Sequence, residues 1–255
     1  PNDRTLHLKD NRTVHVFTGD YVDSKRSSSD SGVWHGFTFG ENYILDLCTQ
    51  LKTQYPKQFY FICGNHEMMV VEGDGDNFRT PDKRQKAWRQ RVKAFVLNHC
   101  DFVKVFTFPD CSRCLVCHGG LDQAFLKTHK LDVLKPSFEA DVRQLYVSII
   151  HRTGDVKYDY KRFPDWSRVN LKPSDNVLHA PVKYQVVGHT IIAPRTITKR
   201  SLESQHGITN PRKYFIDAGM SAAFSGERKV TDVCYLQCTF QGCKPQFNII
   251  QKALD

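Results

Sequence analysis

The sequence predicts a layered α/β fold. Three observations predict it: short β-rich runs that stop at glycines or polar clusters, helical apolar stripes placed between them, and a strand-rich tail. Residues 14–18 (VHVFT), 58–63 (QFYFIC), 114–117 (CLVC), 184–187 (YQVV) and 213–216 (KYFI) have the composition of buried strands. Ile44, Leu47, Cys48 and Leu51 recur at helical spacing and stop before Pro56, which predicts an amphipathic helix packed on a sheet. A second helix is signalled by Thr80 as N-cap, Pro81 at the first helical position, Asp82 near the positive end of the dipole, and a Trp88, Val92, Phe95, Val96 stripe. Its other positions carry Lys83, Arg84, Lys86, Arg89, Arg91 and Lys93. We read these as a solvated face, with a phosphate-attracting surface as the alternative. Residues 24–40 are polar, Ser/Gly-rich and patternless, hence a loop. From residue 230 to 250 the pattern gives two strands joined through Gln241-Gly242. No linker divides the chain, so residues 1–255 are expected to form one domain.

Composition limits the function classes. With 36 Lys+Arg against 27 Asp+Glu, 40% hydrophobic and 25% charged residues, the chain is neither disordered nor collagen-like. Its apolar runs fall far short of the roughly 20 residues that a membrane helix needs, so no membrane span is expected. The net charge of +9 suits phosphorylated substrates, nucleic acid or an acidic surface, but no RNA- or DNA-binding motif accompanies it. Nine cysteines, an odd number partly within strand-like runs, read as reduced thiols of an intracellular protein, with the cytoplasm as the expected compartment and an organelle open. The sequon Asn11-Arg12-Thr13 sits beside a strand and is discounted.

The chemistry is signalled where strands end. Gly19-Asp20, Gly64-Asn65-His66-Glu67, His118-Gly119-Gly120 and Gly188-His189-Thr190 each follow one of the β-rich runs. In α/β folds, residues at the carboxyl ends of neighbouring strands converge on one crevice. A carboxylate, an amide oxygen and two imidazoles form a mixed O/N donor set suited to a pair of divalent cations. Such a pair clamps a phosphoryl group and activates water for in-line attack.

GDYVD at residues 19–23, GNHE at 64–67, HGG at 118–120 and GHT at 188–190, in this order, resemble the calcineurin-like metallophosphoesterase superfamily, and most closely its phosphoprotein phosphatase branch. IDAGMS at residues 216–221 further resembles the bacterial-type and Shewanella-like phosphatases, while the SAPNYC motif of the common eukaryotic enzymes is missing. The resemblance implies a β-sandwich of two mixed sheets flanked by helices, holding two metal ions (Mn, Fe or Zn). It implies that Asp20 bridges the metals, with Asn65, His118 and His189 as ligands. It also implies that His66 is the general acid protonating the leaving oxygen, with Asp23 as its orienting carboxylate. An Asp–His pair favours the protonated imidazole that this role needs.

Two departures from the family pattern stand out. Ser24 occupies the place of an arginine that grips phosphate, leaving Lys25, Arg26 and Arg168 as candidate phosphate clamps. The Asp-x-His pair that ends the family's first strand does not occur upstream of Asp20, since His7 and His15 do not fit it. That strand is expected to lie before Pro1. A phosphoserine or phosphothreonine protein is the favoured substrate, with a nucleotide or RNA-cap phosphoanhydride as the alternative. The rival from another class is a catalytically impaired pseudo-phosphatase serving as a scaffold or subunit of a larger assembly. Cys111, Cys114 and Cys117 form C-x₂-C-x₂-C, for which core thiols are preferred over a zinc site. Asp74-Gly75-Asp76-Asn77 lacks the oxygen donor and glycine of a calcium loop, and Asp217 reads as a turn residue.

Overall fold

The computed structural model describes residues 12–22, 39–72, 83–121, 123–152, 163–165, 182–189, 213–215 and 232–253. Among them the order is β1 (His15–Phe17), α1 (Phe39–Gln54), β2 (Phe59–Ile62), α2 (Asn65–Glu72), α3 (Lys83–His99), β3 (Cys100–Asp101), β4 (Val103–Thr107), β5 (Arg113–Cys117), α4 (Gln123–Thr128), α5 (Phe138–His151), β6 (Val182–Val187), β7 (Lys213–Phe215), β8 (Asp232–Gln241) and β9 (Lys244–Ala253). The α/β expectation holds. All five β-rich runs contain strands, and β8 and β9 turn at Gly242, whose φ of 60° suits a residue without a side chain.

Among the described residues the strands form three hydrogen-bonded sheets. β1, β2 and β3 run parallel in that order; β4–β5–β6–β7 is mixed, with β4 antiparallel to β5 and the other pairs parallel; β8–β9 is an antiparallel hairpin. β2 and β5 are covered on both sides, which their near-continuous apolar sequences require. On one side, Phe61, Leu45, Val92, Phe95, Phe125, Val142 and Tyr146 share a core built with the helices. On the other, Ile62, Cys114, Val116 and Val186 pack with Val16, Leu236 and Phe247, so side chains from all three sheets meet.

Helix α1 starts inside the stretch expected to be loop, at Phe39, and its buried face is rotated from the expected stripe. Leu45 and Cys48 are buried whereas Ile44 is 39% exposed, because α1 packs against α3 as well as the sheet. In α3 the stripe Trp88, Val92, Phe95 and Val96 is buried as expected, while Thr80, Pro81 and Asp82 lie outside the described residues. Three residues of the basic face of α3 are bonded to neighbouring helices. Arg89 donates to Val71 O and Glu72 O at the end of α2, Arg91 to Asp46 Oδ1 and Asn42 O of α1, and Lys93 to Ile150 O near the end of α5. Cations on the last carbonyls of a helix complete bonds the helix cannot make and oppose its negative end. Lys86 remains exposed.

Candidate metal centre

Two parallel pairings bring the strand ends together. Phe17 pairs with Phe61, so the chain leaves β1 and β2 side by side and delivers Asp20 and Asn65; Cys117 pairs with Val187, so β5 and β6 deliver His118 and His189 in the same way. One donor atom each from Asp20, His118 and His189 lie within 4.8 Å of one another. His118 Nε2 is 2.9 Å from Asn65 Oδ1 and 3.3 Å from Asp20 Oδ1, and the His118 and His189 ring centroids are 5.0 Å apart. The other nitrogen of His118, Nδ1, is held by the carbonyl of Thr18. That partner fixes the ring and leaves Nε2 facing the other donors, the usual arrangement behind a ligating histidine. His66 borders the cluster, with Nε2 3.8 Å from Asp20 Oδ2 and its backbone N–H donating to Asp20 Oδ1 at 3.3 Å.

Asp20 and His189 adopt left-handed backbone conformations, φ 61° and 56°, which cost a non-glycine residue about 1–3 kcal/mol unless the surroundings fix them. The neighbouring glycines make the close approach possible. A Cβ on Gly64 would collide with Asp20 Oδ1 and lie 2.5 Å from the Asp20 nitrogen; one on Gly19 would lie 2.7 Å from the Gly64 backbone and from His118 Nδ1. Gly64→Ala is therefore expected to displace Asp20 and weaken divalent-cation binding by at least about tenfold, measurable by equilibrium dialysis with Mn²⁺.

Glu67, the last residue of GNHE, has no role in the sequence reading, yet it is fully buried at the hub of the two loops. Its carboxylate accepts N–H groups from Gly64, Asp20, Tyr21 and Val22. The signal available in sequence is its spacing: a glutamate three residues after the residue preceding a helix is half of a capping box. Burial first, then the charge of Asp20, raises its carboxyl, while the N–H it accepts from Gly64 acts the other way and favours the ionised form.

Burial alone would raise Asp20, but the charge and hydrogen bond of His118, then those of His66, outweigh it and hold the carboxyl at about 2. Burial pulls His118 down, whereas the charge and hydrogen bond of Asp20 lift it to about 9. Without a cation the two form an ion pair at neutral pH. His118 is raised above its ordinary 6.5, so its contribution to stability is complete below 6.5 and lost as pH climbs through about 9. The thermal midpoint of chelator-treated protein should fall across that window. A cation must displace the same proton, so its affinity should rise with pH, and calorimetry at pH 7 in buffers of differing ionisation heat should show proton release.

The structure thus gathers Asp20, Asn65, His66, His118 and His189 in one place. Asp23, Ser24, Lys25, Arg26, Arg168 and Asp217 lie outside the described residues, as do Asn11, Asp74-Gly75-Asp76-Asn77 and the IDAGMS stretch. Cys114 and Cys117 are buried on opposite sides of β5, one in each core, and Cys111 is exposed in the preceding turn. Residues three apart on a strand face opposite ways, so these thiols do not converge as a zinc site. Burial pushes the Cys117 thiol up to about 12, as befits a core thiol.

The donor set fits a divalent cation on this structure's own terms: oxygen and nitrogen donors within 4.8 Å of one another, a histidine oriented from behind, and close-packed glycines beside them. Such donors at the carboxyl ends of parallel strands are the arrangement in which an α/β domain can hold a metal ion. The family model described as calcineurin-like phosphoesterase matches residues 4–193, which include all five gathered residues and cover well over half of the chain. The chain belongs to this family, whose members are generally metal-dependent hydrolases of phosphoesters. No curated protein matches the chain. Among the described residues no helix is long and apolar enough to cross a membrane.

Proposed function

We propose that the protein is a two-metal phosphomonoesterase of the phosphoprotein phosphatase branch, related to the bacterial-type and Shewanella-like enzymes and acting on phosphoserine or phosphothreonine in a protein. The observation that carries this is the convergence of Asp20, His118 and His189 beside Asn65 and His66. GDYVD and GNHE support the branch, and the net charge of +9 suits an anionic substrate. The buried, mutually separated thiols of Cys114 and Cys117 support a reducing compartment such as the cytoplasm.

Asp20, Asn65, His118 and His189 would hold the cations. Bound Mn, Fe or Zn would polarise the phosphoryl group and lower the pKa of water at the centre. Thr18 keeps His118 oriented, so that its Nε2 is available as a donor. His66 is a second kind of group: its ring, partly accessible and beside Asp20, donates a proton from Nε2 to the leaving oxygen. Asp23 orients His66, and Lys25, Arg26 or Arg168 supplies the charge that Ser24 lacks.

The test is hydrolysis of phosphoserine peptides and of nucleoside diphosphates at equal Mn²⁺ concentration. Higher kcat/KM on the peptides supports the branch; preference for the anhydride would remove it while keeping the metal chemistry.

A further inference from the structure

We propose that Glu67 is the positioning residue of the centre, a buried carboxylate that fixes the Asp20 loop to the Asn65 loop by taking four backbone N–H groups. The proposal rests on the metal-dependent reading above.

Every acceptor site of the side chain is used. Oε2 takes the N–H of Gly64 at 2.7 Å and of Asp20 at 2.9 Å; Oε1 takes those of Tyr21 at 2.6 Å and Val22 at 3.1 Å. A carboxylate has about four lone-pair sites, so it is saturated, and it is 0% exposed. One of the bonds closes its own helix, since Gly64 precedes α2. The other three reach 45 to 47 residues back in sequence to consecutive amides of the other loop.

Those amides belong to the loop that carries the strained backbone. Gly19 and Asp20 are both in the positive-φ region, at 100° and 61°. Tyr21 adds a brace, its hydroxyl accepting the Gly19 N–H at 3.2 Å and donating to Phe17 O at 2.9 Å. Turning the loop this way puts Asp20 Oδ1 against Gly64 and within 3.3 Å of His118 Nε2. Glu67 touches no other donor atom of the centre in these bonds; it acts through the position of Asp20.

Glu67→Gln isolates this role. The variant side chain is the same size but offers one acceptor oxygen, and its NH₂ group faces two amide donors. Two measurements on the full chain read the outcome: Mn²⁺ affinity by electron paramagnetic resonance, and hydrogen exchange of individual amides in chelator-treated protein. The expected result is an affinity lower by about 10- to 100-fold, with faster exchange at Asp20, Tyr21 and Val22 and unchanged exchange in β2 and β5. Glu67→Asp, which keeps both oxygens on a shorter stem, should recover part of the affinity. It also serves should the glutamine variant not fold. Unchanged Mn²⁺ affinity in Glu67→Gln overturns the proposal, whether or not the three amides exchange faster. Uniformly faster exchange across β2 and β5 also overturns it, because the carboxylate then supports the fold at large. Wild type that binds no Mn²⁺ yet shows the three amides protected and released in the variant would overturn the metal reading, and the positioning of a ligand with it.

Discussion

Asp20→Ala should strip the protein of bound divalent cation and reduce phosphoester hydrolysis by more than about 10³-fold, a loss at least as large as that from removing one preorganised electrostatic contact. Asp20 is the residue on which the other donors depend. Its Oδ1 lies 3.3 Å from His118 Nε2 and accepts the His66 N–H, and its Oδ2 lies 3.8 Å from His66 Nε2. Among the described donors, removing the carboxylate takes away the anionic one and leaves imidazoles and an amide, which offset a dication less well. The variant should still fold, since the Asp20 amide keeps its bond to Glu67. Elemental analysis of wild type and variant after identical purification checks the metal, and an aryl phosphate assay checks turnover. Metal at wild-type stoichiometry in the variant would contradict the assignment.

The second large effect concerns His66. Replacing it with alanine should lower kcat by about 10²–10⁴-fold, the range for loss of a general acid, while metal content stays at the wild-type level. The imidazole is not among the three clustered donors, and its link to Asp20 is a 3.8 Å contact rather than a short bond. The loss should depend on the leaving group. A nitrophenolate leaves without help, so the deficit should be small there and large on phosphoserine, whose alkoxide needs a proton. Equal turnover of wild type and His66→Ala on a phosphoserine peptide would remove the acid role.

Much of the centre was legible because each donor lies within three residues of a strand's end. Asp20 comes after β1, Asn65 after β2, His118 after β5 and His189 after β6, so the strand-end rule placed four distant residues in one crevice without knowledge of the sheet order. Glu67 escaped a role because three of its four bonds are set by how two loops meet, and the capping-box spacing records only the fourth. The helix α2 was hidden for a related reason: it begins at Asn65, inside the cluster that reads only as the stop of a strand. β3 is two residues long and separated from β4 by Phe102 alone, too short for a period of two to show. Helix α5 carries Phe138, Val142, Tyr146 and Ile149 at helical spacing, a pattern that periodicity can detect but that lies away from the strand-end signals. The basic residues of α3 illustrate the limit of charge reading, because the carbonyls that Arg89 and Lys93 cover belong to other helices.

Reconstitution of chelator-treated protein with increasing Mn²⁺, following hydrolysis of an aryl phosphate, tests the central claim most directly. Hydrolysis should be absent at the start, return saturably with the cation, and fail to return in Asp20→Ala. Full activity without added cation in thoroughly demetallated protein, or no hydrolysis at saturating Mn²⁺, would contradict the account.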